Sequence, residues 1–102
     1  MSEHAPFYEL TFLTEQILFE EVADPDMHQR CKVAGDKFEK SPIGYPASAM
    51  LCNALRLVVG HRLNHDPITA RAWETIAGAL APLAKRERAE EIARLERRRA
   101  IA

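Results

Sequence analysis

The sequence lacks several features that would assign it to a functional class. None of its apolar runs approaches the roughly 20 residues that a membrane-spanning helix requires, and no basic segment precedes an apolar stretch at the N-terminus. We therefore expect a cytoplasmic protein with neither a secretory signal nor a membrane span. The four glycines are scattered, which leaves no glycine-rich loop for binding phosphate.

Cysteine is scarce, because the chain has only Cys31 and Cys52. Each falls on the apolar side of a predicted helix, where a free cysteine behaves as a small hydrophobic residue, so we expect reduced, buried and unreactive thiols. His61 and His65 are four positions apart, but His65 is expected beyond a helix end. There is no H-E-x-x-H pattern and no paired C-x-x-C pattern. The sequence thus predicts no catalytic residue, no cofactor and no metal site.

The length of the chain, 102 residues, suits one small domain and is too short for two independent cores. Hydrophobic residues make up 47% of the chain and charged residues 28%, which is typical of a globular protein and not of a disordered one. We predict a single all-α domain over residues 1–102, built as a small bundle of four to five helices. Residues 1–5 are expected to form a flexible N-terminus, and residues 83–102 a basic C-terminal helix that docks lightly.

The most buried element is expected to be a helix from Pro46 to Leu63. On a helical projection only a narrow strip faces water, and apolar residues occupy the remaining circumference. The strip consists of Ala49, Asn53, Arg56 and Gly60. A helix that is apolar around most of its girth is packed on several sides, within a bundle or at a subunit interface. We predict a homodimer and propose Leu55 and Val59 for self-association.

Two Asp-Pro pairs indicate helix starts, because aspartate caps a helix N-terminus and proline is tolerated in the first turn. Asp24–Pro25 precedes apolar residues at spacings of four, three and four, namely Met27, Cys31, Ala34 and Phe38. Asp66–Pro67 precedes a predicted apolar face of Trp73, Ile76, Leu80 and Leu83. We expect Pro82 to end or kink that helix, since an internal proline removes a backbone hydrogen bond. Asn64 is predicted as the left-handed residue that closes the preceding helix.

The segment from Phe7 to Val22 permits two interpretations. As a helix it has one apolar stripe of Leu10, Leu13 and Ile17 and a second, aromatic stripe of Tyr8, Phe12 and Phe19. The alternation of Tyr8, Leu10 and Phe12 with polar residues instead has the period of a strand. We prefer the helix, because no partner strand is evident elsewhere in the chain.

Charge is distributed unevenly along the chain. The first 26 residues contain seven acidic residues and no lysine or arginine, whereas the last twenty carry seven basic residues and four glutamates, a net charge of +3. One apolar stripe is sufficient for a core, so the aromatic stripe predicts association with another protein. The proposed binding residues are Tyr8, Phe12 and Phe19 for apolar contact, with Glu15 and Glu20 for electrostatic steering.

These features together predict a non-enzymatic regulator that binds another protein. Such an antagonist or adaptor would, for example, sequester a transcriptional regulator by occupying its dimerisation surface. The alternative is a small helical DNA-binding transcriptional regulator whose arginine-rich C-terminal helix approaches phosphates. We prefer protein binding, because Glu90 can pair with Arg86 and Arg94 at spacings of four and the whole chain has a net charge of -1.

Overall fold

The computed structural model describes residues 5–101, and all regular structure in that range is helical. Four α-helices follow one another: α1 (Ala5–Thr14), α2 (Pro25–Lys40), α3 (Pro46–Leu63) and α4 (Pro67–Ile101). A π-helical segment, Glu15–Phe19, continues α1. The predicted all-α class is confirmed for this part of the chain. Of the N-terminus predicted to be flexible, residues 1–4 lie outside the described residues and Ala5 is the first residue of α1.

Helix α1 adopts the preferred helical interpretation, and its apolar stripe lies in the core. Leu10, Leu13 and Ile17 are all buried, as is Phe7. After Thr14 the helix widens, because the backbone N–H of Glu20 bonds to the carbonyl five residues earlier, on Glu15, at 3.0 Å. The strand alternative for the first part of this segment is therefore wrong.

Helix α2 begins as its sequence indicates. The side chain of Asp24 accepts a 2.8 Å hydrogen bond from the backbone N–H of Met27, which caps the helix. The predicted stripe of Met27, Cys31, Ala34 and Phe38 is buried. Gly35 permits a close approach to α3, since a Cβ atom added there would lie 3.2 Å from the Cβ atom of Cys52. Farther along the pair, His28 lies beside Gly60, so α2 and α3 run antiparallel.

Helix α3 contributes the largest share of the core, as predicted. Its buried residues are Ser48, Leu51, Cys52, Ala54, Leu55, Val58 and Val59. Leu55 and Val59, predicted for self-association, are both 0% exposed. A second copy cannot reach them in this fold, so we assign both to the core of the single chain. Met50 was predicted to belong to the buried apolar circumference of α3, but it is 57% exposed.

The turn between α3 and α4 differs by one residue from the prediction. Asn64 has a φ of −91°, because its N–H still bonds to the carbonyl of Gly60 as part of the last helical turn. The left-handed residue is His65, with a φ of 56°. Asp66 then caps α4 by accepting a hydrogen bond from the N–H of Thr69 at 3.2 Å.

Helix α4 continues without interruption through Pro82, so the prediction of a separate C-terminal helix from residue 83 is wrong. Proline has no N–H to donate to the carbonyl of Gly78, four residues earlier. Both Gly78 and Pro82 are exposed, so water can serve that carbonyl. At 35 residues, α4 is about 52 Å long, which matches the 52 Å longest dimension of the molecule.

The face of α4 that packs on α3 is also different from the one predicted. Its buried residues recur every seven positions as Ala70, Ala77 and Ala84, and these small side chains let the two helices approach closely. Trp73 and Leu80 pack against the same core, as predicted. Ile76 and Leu83 do not, since they are 43% and 44% exposed.

The C-terminal part of α4 remains in contact with the rest of the molecule for several turns. Glu91 and Leu95 are buried, and residues 96–101 are exposed. Along this part of α4, Leu95 is buried, Ile92 is half-buried and Ala89 is exposed. Over residues 5–101, no helix combines the length and apolar character needed to cross a bilayer.

Two polar side chains fix how the helices are aligned. Glu87 of α4 accepts hydrogen bonds from the backbone N–H groups of Ala47 and Ser48 at the start of α3. At the opposite end, Arg62 of α3 pairs with Glu74 of α4 at 2.8 Å. The start of α3 thus faces the later part of α4 and its end faces the early part, so these two helices are antiparallel.

Candidate protein-binding surface

The predicted binding residues lie on the side of α1 and the π-helical segment that faces away from the core. Tyr8 is 54% exposed, Phe12 38% and Phe19 76%. Glu15 and Glu20 are exposed as well. The burial of Leu10, Leu13 and Ile17 holds α1 in this orientation, because rotating the helix would bring those three side chains into water.

Tyr8 and Phe12 are each covered in part by an arginine of another helix. The guanidinium carbon of Arg30 in α2 lies 4.7 Å from the ring centre of Phe12, and that of Arg88 in α4 lies 5.7 Å from the ring centre of Tyr8. A cation–π contact at an exposed site contributes about 0.5–1 kcal/mol. Tyr8 and Phe12 therefore have intramolecular roles, holding α1 against α2 and α4.

The arginine over Phe12 is itself held in place by an acidic residue. Arg30 donates hydrogen bonds to both carboxylate oxygens of Glu9, at 2.6 and 3.2 Å. The hydrogen bond to Glu9 is the main reason that the pKa of Arg30 is raised above its ordinary value. The charge of Glu9 is balanced by Arg30 in this pair and does not add to the net charge of the surface.

Phe19 is presented differently, because it lies at the end of the π-helical segment where the chain turns away. The guanidinium of Arg62 donates to the carbonyl of Ile17 at 2.8 Å, and the N–H of Val22 donates to the carbonyl of Gln16 at 2.8 Å. Glu21 adopts a positive φ of 56°, which reverses the chain direction. The backbone around Phe19 is thus held firmly while its ring extends into solvent.

The residues around this ring give it a chemical character of its own. Glu15, Glu20 and Glu21 are exposed, and all three precede the first basic residue of the chain. We call Phe19 together with these three glutamates the Phe19 surface. It combines one large apolar side chain with three carboxylates, the composition predicted for a surface that receives a basic partner.

A shallow groove between α1 and α4 lies next to the Phe19 surface and shares Glu15 with it. Its volume is about 260 Å³. The apolar part is formed by Phe7, Leu10, Leu51 and Ala84, and Lys85 and Arg88 line it from α4. No sequence pattern indicates this groove, because it depends on how α1 lies across α4.

The basic residues of α4 are divided between internal contacts and solvent. Arg88 stacks on Tyr8, and Arg94 forms an ion pair with the buried Glu91. The partner described for Arg94 is thus Glu91, one position along from the predicted Glu90. Residues 97–99, all arginine, are exposed near the end of the helix.

The two cysteines are buried, and His61 and His65 lie at the end of α3 and just beyond it, as the sequence predicts. Cys31 and Cys52 are fully buried free thiols, and burial raises the pKa of each to about 12, so neither is ionised near neutral pH. His65 lies beyond the end of α3. The Nδ1 atom of His61 lies 3.6 Å from Oδ2 of Asp66. In the range 5–101, no three His, Cys, Asp or Glu side chains are grouped so that they would hold a metal ion.

Comparison with known proteins gives no match, whether against protein-family models, curated proteins or solved structures. The fold itself defines the class as a small all-α protein. Any function must therefore be argued from the surface chemistry of this chain.

Proposed function

We propose that this protein is a non-enzymatic, cytoplasmic regulator that binds another protein, with Phe19 as the apolar anchor of the interface. The observation that carries the proposal is the 76% exposure of the Phe19 side chain on a firmly held backbone. Burying a phenylalanine against a partner stabilises a complex by about 1.5–3 kcal/mol, and a preorganised backbone lowers the entropy lost on binding.

The proposed partner offers an apolar pocket beside a basic patch. Glu15, Glu20 and Glu21 are exposed within four residues of Phe19 in the sequence, so positive charge on the partner would accelerate association, and salt would screen this attraction. Phe12 and Tyr8 extend the proposed interface along α1. Their contribution is expected to be smaller, because Arg30 and Arg88 already lie over the two rings.

The biological role that we propose is that of an antagonist or adaptor. A transcriptional regulator whose dimerisation surface is apolar and basic would be a suitable target. We also keep the proposal that the chain forms a homodimer. Because Leu55 and Val59 are buried within one chain, that dimer requires a different surface.

A DNA-binding regulator is the second candidate. The observation that favours it is the run of three arginines at residues 97–99, in a part of α4 where all residues from 96 to 101 are exposed. The exposed Glu90 and Glu96 on the same helix weigh against it, because carboxylates repel the phosphate backbone.

The test is capture of partners from a nuclease-treated lysate of the native host, with immobilised wild-type protein and a Phe19→Ala variant compared by quantitative mass spectrometry. We expect one protein to be retained by the wild type and its affinity to fall about 10- to 100-fold for Phe19→Ala. Ile101→Ala is the matched control, since Ile101 is 87% exposed at the far end of α4.

The proposal fails if Phe19→Ala and the wild type retain the same proteins in the same amounts. Retention that disappears on nuclease treatment would instead favour the DNA-binding candidate. A Glu15→Lys, Glu20→Lys double variant separates steering from anchoring, because it should slow association at low salt while the dissociation rate changes little.

A further inference from the structure

Helix α4 has a second apolar stripe that faces solvent. Its residues follow spacings of four, four, three and four, the pattern of one helix face, and all are exposed: Ile68, Ala72, Ile76, Ala79 and Leu83. The exposed fraction is 84% for Ile68, 43% for Ile76 and 44% for Leu83. An isolated exposed isoleucine is ordinary, but an aligned series over four turns is not.

This outer stripe is distinct from both faces of α4 that already have partners. The alanines at 70, 77 and 84 are buried on the side of α4 that packs chiefly on α3. Ala81, Lys85 and Arg88 line the groove shared with α1. By helical periodicity Ile76 and Leu83 fall on the other side of the buried alanines from that groove. The outer stripe therefore lies on the side of α4 that faces away from α1.

Helix α3 extends the same apolar face. Ser48 and Arg62 bond to residues of α4, whereas Cys52 and Gly60 lie against α2. Met50 and Leu57, seven positions apart, occupy the arc of α3 between these two directions on the side away from the core. Met50 is 57% exposed and Leu57 is half-buried. We call Met50, Leu57 and the outer stripe of α4 the α3–α4 face.

The α3–α4 face is also unusually poor in charge for a surface. The ten residues 75–84 of α4 contain no charged residue, and neither do residues 47–55 of α3. The solvent face of a helix in a globular protein is normally occupied by charged and polar side chains. A neutral face offers nothing to a charged partner, and it presents no like charges that would repel a copy of itself.

We propose that a second copy of this chain covers the α3–α4 face, with the two α4 helices antiparallel across a two-fold axis. Large and small residues alternate along the outer stripe, so an axis between residues 77 and 78 brings Ile76 opposite the partner's Ala79. The same axis brings Leu83 opposite the partner's Ala72. Ile76 and Leu83 then each meet an alanine, which is the self-complementary fit that an isologous interface requires.

The size of the face suits such a dimer. The stripe from Ile68 to Leu83 is about 24 Å long, and neighbouring helices pack about 8–10 Å apart. The side chains of two adjacent helices thus give an accessible area that approaches the ~600 Å² per partner at the lower end of specific interfaces. The interface is independent of the Phe19 surface, so the two proposals can fail separately.

The experiment is sedimentation velocity of the full chain from micromolar to near-millimolar concentration. We expect the wild type to form a dimer and Leu83→Glu to raise the dimer dissociation constant at least about a hundredfold, because symmetry introduces two carboxylates, one into each of the two Leu83–Ala72 contacts. Val33→Glu is the matched control, because Val33 is 42% exposed on α2 and lies outside the face. That variant should dimerise like the wild type.

The proposal is overturned if the wild type stays monomeric over the whole range, or if Val33→Glu and Leu83→Glu shift the equilibrium equally.

Should Leu83→Glu lose its helical circular dichroism, a thiol introduced at residue 79 replaces that variant as the probe. Ala79→Cys should form a disulfide-linked dimer on mild oxidation, since the two copies of residue 79 lie near the axis, and Val33→Cys should not. Cys31 and Cys52 are fully buried and will not compete. Equal cross-linking of the two variants would also overturn the proposal.

Discussion

The carboxylate of Glu87 accepts two hydrogen bonds from Ser48, one from the backbone N–H and one from the hydroxyl, each 2.7 Å long. A third, from the N–H of Ala47, is 3.0 Å long. Tyr45, at the N-cap position of α3, provides no side-chain cap. A residue 39 positions away from Ser48 thus performs the capping, and its negative charge meets the positive end of the α3 dipole.

Replacing Glu87 should therefore destabilise the fold although its side chain is not in the apolar core. We expect Glu87→Ala to lower the free energy of unfolding by about 1–3 kcal/mol, because Ser48 is fully buried and would lose its acceptor. Urea denaturation measures the loss, and Glu90→Ala, at an exposed position of the same helix, should change it little. Equal effects of the two substitutions would contradict the capping role.

Arg62 connects three parts of the chain. Its guanidinium donates to the carbonyls of Ile17 and Val22 and to the carboxylate of Glu74. We expect Arg62→Met to lower the free energy of unfolding by about 1–3 kcal/mol, because it leaves two carbonyls and a carboxylate without this donor. It should also accelerate hydrogen exchange across residues 15–22. Arg71→Met, at an exposed position, is the control, and unchanged exchange in the Arg62 variant would show that the π-helical segment holds itself.

Two glycines in helices should respond oppositely to alanine. At Gly78 an added Cβ meets nothing within 4 Å, so Gly78→Ala should raise stability by about 0.5–1 kcal/mol through helix propensity. At Gly35 the added atom would lie 3.2 Å from the Cβ atom of Cys52, which is 0% exposed. Overpacking costs about 1–3 kcal/mol and outweighs the propensity gain. Thermal or urea unfolding measures the stability of both variants. Stabilisation by Gly35→Ala would mean that α2 and α3 separate easily.

The two buried thiols make stability depend on alkaline pH. Burial raises the pKa of Cys31 and Cys52 to about 12, whereas a thiol in the unfolded chain has a pKa of about 8.5. Because the pKa of each thiol is higher in the folded state, the thiols do not reduce the free energy of unfolding below the unfolded pKa. The free energy of unfolding then falls as the pH rises toward the folded pKa.

This pH dependence is measured by urea unfolding of the wild type and of a Cys31→Ala, Cys52→Ala double variant. Above about pH 8.5 the wild type should lose stability more steeply than the variant. The native wild type should also react slowly with a thiol reagent near neutral pH and rapidly once unfolded. If the unfolding free energies of the two proteins fell equally with pH, the thiols would not be responsible for the loss of stability, and their burial would be contradicted.

Features that depend on a few neighbouring residues were predictable from the sequence. Asp24 and Asp66 cap their helices, since an aspartate side chain reaches the backbone N–H three residues later whatever the rest of the chain does. The buried stripe of α2 was found because its residues are large or clearly apolar and follow helical spacing. The exposure of Phe19 was likewise expected, because α1 has more apolar faces than one core needs.

Features that depend on how the helices pack were not predictable in the same way. The larger residues Ile76 and Leu83 suggested the wrong face of α4, because the side that contacts α3 uses alanines, which give a weak hydrophobic signal. The role of Glu87 required the antiparallel alignment of α3 and α4 to be known. Leu55 and Val59 were correctly identified as apolar, but no sequence pattern distinguishes a contact within one chain from a contact between two.

The alanines of α4 that contact α3 have a consequence for the alignment of these two helices. Ala70, Ala77 and Ala84 repeat every seven residues, so a slide of α4 by one repeat, about 10 Å, would present nearly the same small side chains to α3. Apolar packing alone is therefore almost degenerate between the two alignments. The hydrogen bonds from Ser48 to Glu87 and from Arg62 to Glu74 exist in only one of them. These polar contacts select a single register, as a buried asparagine does in a coiled coil, and a chain deprived of both would be expected to fold into a mixture.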